Sequence, residues 1–358
     1  MPPKQSDTFK ATCMDLNLLP GPVAIGERVH DAFIRQPVSH RSRQFMADFA
    51  QTKSALCRLV NARYVEIFTG SGTLANDVVG AHLTTLTGPG IVLNNGEFGR
   101  RLVDHATRWQ LAFRTLESAW GETFELDEIE RTLIAHPEID WLWTAHCETS
   151  SGVLNDIEAL GALCSRHNVR LCLDCISSVG AVLVDLKNVY LASGVSGKAL
   201  GSYPGLSMVF YNQPIPANPE RIPRYLDIGT YAACEGVPFT MPSNLLYALG
   251  VAINSFTSDR FASIATLSAW LRAQLIARGF TVVGTAATTS PSVITIDLSP
   301  SLSSEDVGNR LEDAGCRLNY RSTYLVERNW IQLYLVGDIW TQEKLEPFLD
   351  LLASIHKS

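Results

Sequence analysis

Between residues 60 and 212, short apolar runs alternate with longer amphipathic stretches, and few folds accommodate that grammar. The runs Val65-Glu66-Ile67-Phe68, Gly90-Ile91-Val92-Leu93, Trp141-Leu142-Trp143-Thr144, Leu171-Cys172-Leu173 and Leu206-Ser207-Met208-Val209-Phe210 have strand length. The spacing between them leaves room for crossover helices, predicted over 74–86, 98–109, 126–135 and 156–167, with Asp127 and Asp156 placed to cap the last two. The expected fold class is α/β, a mostly parallel, doubly wound sheet covered by helices. Beyond about residue 245 the pattern changes. A long helical stretch to about Arg278 precedes strands at 281–283 and 292–298, a helix over 303–315, a strand over 330–335 and a last helix from Thr341. A chain of 358 residues, 46% hydrophobic, has material for two cores. The reading is therefore an N-terminal arm over 1–15, a large domain over 16–245 and a smaller α+β domain over 246–358.

Charge narrows the partners. A net charge of −7 and a pI near 5.6 offer no basic face to nucleic acid or to an anionic membrane surface, so neither partner is expected. The longest apolar runs, such as 245–253, are too short to span a bilayer. Met1 to Asp15 carries Lys4, Asp7 and Lys10 without a continuous apolar stretch, which argues against a cleaved secretory signal. Eight scattered cysteines fit a reducing, cytoplasmic setting. Cys172 and Cys175 lack the second ligand pair that a zinc site needs, and no metal is expected.

Lysine is scarce, with seven in the chain, and Lys198 stands apart from the others. It lies in Ser193-Gly194-Val195-Ser196-Gly197-Lys198-Ala199-Leu200-Gly201, after a strand, among residues small enough to let a ligand approach the backbone. It reads either as an exposed loop lysine or as the nucleophilic amine of a cofactor enzyme, whose pKa a desolvated site lowers. Asp174 ends the strand 171–173, where open α/β sheets bind their ligands. A protonated pyridine nitrogen would supply the cation such a buried acid requires; capping of the following helix is the other reading. Gly70-Ser71-Gly72-Thr73 joins a strand to a helix start, an anion cradle suited to a single phosphate. It lacks the Gly-Lys-Ser/Thr element of a P-loop and the third glycine of a dinucleotide fingerprint.

Taken with His146-Cys147-Glu148-Thr149-Ser150-Ser151-Gly152 and the Asp174 to Lys198 block, this segment resembles the class V, fold-type I aminotransferases that use pyridoxal 5′-phosphate (PLP). That group contains alanine–glyoxylate, serine–pyruvate and 2-aminoethylphosphonate aminotransferases. Asn17-Leu18-Leu19-Pro20-Gly21-Pro22, His40-Arg41-Ser42 and Asn95-Gly96-Glu97-Phe98-Gly99-Arg100 add to the likeness, which runs from about residue 16 to 250. The resemblance implies the PLP-transferase fold type I, Lys198 as the Schiff-base lysine and Asp174 as the partner of the ring nitrogen. Ser71, Gly72 and Thr73 would hold the phosphate, Phe98 would stack on the ring and Thr149 would donate to a ring substituent. Thr240 resembles a threonine that reaches the phosphate of the neighbouring subunit, so a homodimer is implied. His146 either lies near the ring or is a satisfied histidine at a strand end.

Substrate binding is placed on Gly21, Arg41, Arg321 and Gln332. Gln332 occupies the position where relatives carry an arginine that grips a substrate carboxylate. A neutral amide does not replace a guanidinium fork. Either Arg41, Arg321 or Arg328 takes over, or the substrate lacks an α-carboxylate. The implied activity is ping-pong transfer of an amino group from a small amino acid or amine to a small 2-oxo acid or aldehyde. The alternative is a PLP-dependent lyase of the β-elimination, desulfurase or retro-aldol type.

Overall fold

The computed structural model describes residues 15–336 and 340–357; all but the last residue of the arm expected over 1–15 lies outside them. A seven-stranded sheet organises the larger part of the chain, in the spatial order Tyr64–Thr69, Leu206–Tyr211, Leu191–Val195, Arg170–Asp174, Trp141–Ala145, Gly90–Asn94, Phe113–Glu117. Four of the neighbouring pairs are parallel. Leu206–Tyr211 runs antiparallel to both of its neighbours. Helices cover both faces, which is why the central strands read as unbroken apolar runs. Met208, Leu173, Leu142 and Ile91 pack into one core, and Val209, Cys172, Trp143 and Val92 into another. Cys172 and Cys175 accordingly lie in different cores, as apolar filling.

The helices between strands start at Gly72, Glu97, Leu126 and Ile157, within two residues of their expected positions. Asp156 accepts from the Ala159 N–H as a side-chain cap. The stretch expected as one long helix after 245 is two, Ser243–Asn254 and Arg260–Ala277. They are separated by Ser255 to Asp259, where short polar side chains favour local turns over helix.

A three-stranded antiparallel sheet, Thr281–Val282, Val293–Asp297 and Trp330–Tyr334, forms the C-terminal unit with its own core. Leu16–Leu18 pairs with Cys316–Leu318, and Leu16 and Leu18 enter that core. The segment placed at the head of the large domain thus packs with the small unit, because its two alternate leucines find their apolar partners there.

His82 ties the helix Gly72–Leu83 to the start of the helix Ile228–Ala233, its Nε2 accepting from the Ile228 N–H at 3.1 Å. Burial pushes its pKa down to about 4, against the pull of Asp227. Only the neutral ring accepts that bond. Between about pH 4 and 6.5 the unfolded chain binds a proton that the folded one does not, so this contribution is complete above pH 6.5 and lost as the pH falls toward 4. Urea midpoints at pH 4.5 and 7 should differ less in His82→Gln than in the wild type. An equal difference would remove His82 from the acid response.

Candidate active site

The carboxyl ends of the central strands open into a cavity of about 1060 Å³, the position expected of a ligand site in an open α/β sheet. Lys198 reaches it from the loop after Leu191–Val195. Its Nζ donates to Ser177 Oγ at 2.9 Å, and Ser177 Oγ lies 2.9 Å from Thr149 Oγ1. The same Nζ stands 5.3 Å from the centroid of the Phe98 ring. Burial lowers the pKa of this amine, with the Asp174 carboxylate pulling the other way, a balance that enlarges the neutral, nucleophilic fraction. The lysine loop leaves no space for larger neighbours. A Cβ on Gly197 would come within 2.7 Å of Pro204 Cα, and one on Gly21 within 2.9 Å of Gly197 O.

Asp174 ends its strand buried in the cavity wall. Its Oδ1 accepts from the Ile176 N–H (2.9 Å) and its Oδ2 from Asn76 Nδ2 (2.8 Å). Asn76 Oδ1 is buried and without a partner among the described residues. Across the cavity the helix Gly72–Leu83 begins at Ser71, which gives its first turn no side-chain cap. Ser71, Gly72 and Thr73 all line the cavity, so an uncapped helix start, the kind of terminus that attracts an anion, borders it.

The cavity therefore joins Lys198, Asp174, Ser71, Gly72, Thr73, Phe98, Thr149 and Gly21. The residues named for a substrate carboxylate stand elsewhere. Gln332 is wholly buried behind the site. Its Nε2 lies 2.9 Å from Thr149 O, Ser150 O and Thr295 Oγ1, which share its two N–H groups, and its Oε1 accepts from the Tyr334 hydroxyl at 3.0 Å. An amide so engaged has no group left for a ligand. Arg321 pairs with Glu312 and lies over the Tyr320 ring. Arg328 stacks on Trp120 at 3.5 Å, and Arg41 is exposed away from the cavity wall. Thr240 is exposed and does not line its own chain's cavity. His146 is buried, with a pKa pushed down to about 4 by burial, and it does not line the cavity either.

Besides Lys198, the basic side chains on the wall are Arg101, His105 and Arg108. Together with Phe98 they follow i, i+3, i+7, i+10, one face of the helix Glu97–Arg108. That spacing was legible in the sequence once Phe98 was chosen. Asn76 likewise sits one helical turn after Gly72. Ser177 carried no comparable signal.

Comparison with known proteins decides the family. A model described as aminotransferase class-V matches residues 28–212. The chain belongs to the class-V aminotransferase family. Its relatives include the 2-aminoethylphosphonate–pyruvate transaminase of Pseudomonas aeruginosa, 38% identical over 143 residues, 39% of this chain and 38% of the relative's length. The protein of the same name from Pseudomonas entomophila is 29% identical over 257 residues, 68% of each chain. Among solved structures, an alanine–glyoxylate aminotransferase from Nostoc sp. superposes with a TM-score of 0.85 at 26% identity, covering 99% of this chain and 97% of that one. The class-V chain thus has the expected PLP-transferase fold type I. No helix among its described residues is long and apolar enough to cross a membrane.

Proposed function

We propose that this class-V protein is a PLP-dependent aminotransferase that moves an amino group from a small amine or amino acid to a small oxo acceptor. The observation that carries the reading is the meeting of a desolvated lysine amine, a buried carboxylate and an uncapped helix start in one cavity. These residues fit the cofactor. Lys198 would hold its aldehyde carbon, Asp174 its ring nitrogen, Ser71, Gly72 and Thr73 its phosphate, and Phe98 one face of its ring. The bound cofactor supplies an exchangeable carbonyl and a ring that takes up carbanion charge.

The chain's own residues do the rest. The neutral Lys198 amine is the nucleophile and, once displaced by an incoming amine, the base positioned to take a proton and return it. Ser177 and Thr149 fix its direction through two 2.9 Å contacts. Asn76 and the Ile176 N–H hold the Asp174 carboxylate in place. The donor leaves as an oxo product before the acceptor binds, a ping-pong order. Exposure of Thr240 supports a homodimer in which each chain serves its neighbour's phosphate site. The seven described cysteines, all free, support a reducing cytoplasmic setting.

Borohydride reduction of the PLP-loaded protein should leave a pyridoxyl mark on the Lys198 peptide. A panel of amines should then bleach the cofactor absorbance band, which an oxo acid restores. Turnover without an oxo acid would instead favour a lyase. With Gln332 committed and Arg41 and Arg321 off the wall, the guanidiniums there are Arg101 and Arg108, and Arg101, 4.9 Å over the Phe98 ring, is the one placed for an anionic substrate group. Glu97 takes its Nε–H at 3.1 Å. Arg101→Ala should raise KM for an anionic substrate roughly 10- to 100-fold, the worth of one charged hydrogen bond, and leave a neutral amine unaffected. Equal effects on both would exclude it.

A further inference from the structure

Glu148 occupies an unusual place. It is a carboxylate with no accessible surface, one residue before Thr149. Its Oε2 accepts from the Phe98 N–H at 3.0 Å and the Gly99 N–H at 2.9 Å. Its Oε1 accepts from the Ser150 N–H at 3.0 Å and from the Ser150 hydroxyl, which in turn accepts from the Glu97 N–H at 3.0 Å. Three amides at the start of Glu97–Arg108 are thus satisfied from a distant segment, and the residue before the helix, Gly96, has no side chain to cap it. Gly96 could not bear one. A Cβ there would fall 2.5 Å from Glu148 Cδ and 2.6 Å from Ser150 Oγ. Its φ of 169° is ordinary extended backbone, so the demand for glycine is for space.

We infer that Glu148 is a positioning residue, which sets the Phe98 ring opposite the Lys198 amine by holding the first turn of the helix that carries it. The linkage is short. Glu148 grips the Phe98 backbone, while the next residue, Thr149, continues through Ser177 to the lysine. Both faces of the proposed cofactor slot therefore refer to one segment, Cys147 to Ser150. A neutral helix cap would satisfy the amides of a helix on the surface. Here a charged acceptor is buried instead, where its geometry is enforced by Gly96 and Ser150 on either side.

This inference rests on the reading of Lys198 as the cofactor-bearing amine, and the experiment separates the two. PLP affinity and the circular dichroism of bound PLP would be measured for wild type, Glu148→Ala, Glu148→Gln, Phe98→Ala and the Glu148→Gln/Phe98→Ala pair. Failure of the wild type to bind PLP at Lys198 would remove the reading itself. Given wild-type binding, Glu148→Ala should weaken PLP by about tenfold or more, as expected from losing charge-assisted bonds, and reduce its dichroism. Glu148→Gln should recover part of both, because the amide oxygen still accepts from Phe98 and Gly99. The double variant should be no worse than Phe98→Ala alone, since one residue acts through the other. Additive losses, or dichroism unchanged in Glu148→Ala, would overturn the inference. If Glu148→Ala does not fold, the glutamine variant and its double decide the matter alone.

Discussion

Lys198→Ala should lower kcat by on the order of 10⁴-fold, the upper end of what a positioned proton-transfer group contributes. In the proposed reaction this residue would combine two duties, nucleophile and proton carrier, that no neighbour duplicates. Among the described residues Lys198 is the only lysine on the cavity wall, and Ser177 and Thr149, the groups bonded around it, are hydroxyls. The variant should also lose the pyridoxyl mark after borohydride while keeping the fold, since shortening this side chain removes a charge that burial already disfavours. A steady-state assay alongside peptide mass spectrometry tests both halves. Turnover within tenfold of wild type would place the chemistry on another residue.

Asp174→Asn is the second large effect expected, a fall in kcat of roughly 10²- to 10³-fold, comparable with removal of one preorganised electrostatic group. Its fold should tolerate the change. In the wild type both carboxylate oxygens accept, from Ile176 N–H and Asn76 Nδ2. An asparagine presents one donor where a second acceptor stood. The unpaired Asn76 Oδ1 supplies the remedy, because a flip of the Asn76 amide turns that oxygen toward the new donor. Single-turnover rates and urea midpoints, measured together, should separate sharply. A variant that loses stability but keeps its rate would make Asp174 a structural acid.

The residues that could be read from the sequence are those whose neighbourhood is local. Gly70 to Thr73 announces itself as a strand-to-helix turn, and Lys198 by its small neighbours, because both depend on backbone shape within a few positions. The five apolar runs that became strands of the large sheet were equally plain, whereas the edge strand Phe113–Glu117, with Arg114, Thr115 and Glu117 exposed, carried no such run. The reversed direction of Leu206–Tyr211 was not plain either, since a fully buried strand has the same composition whichever way it runs. Asn76 bonds Asp174 across 98 positions, and Gln332 reaches Thr149 across 183. No spacing rule spans such distances. Gln332, which corresponds to an arginine in relatives, spends its own amide on the buried carbonyls of Thr149 and Ser150. Arg101 differs from Arg41, Arg321 and Arg328 in lying on the helix face shared with Phe98, which brings it to the cavity wall.

The Gln332 amide has a mechanical consequence. It rivets the C-terminal sheet to the Thr149-Ser150 stretch through two short bonds. To hinge that unit open as a rigid body would break both while their groups were still shut away from water. Traffic into the site is thereby left to the standing cavity, on whose wall Arg101 and Arg108 are exposed, and the size of molecule admitted is set by that cavity and not by a swinging gate.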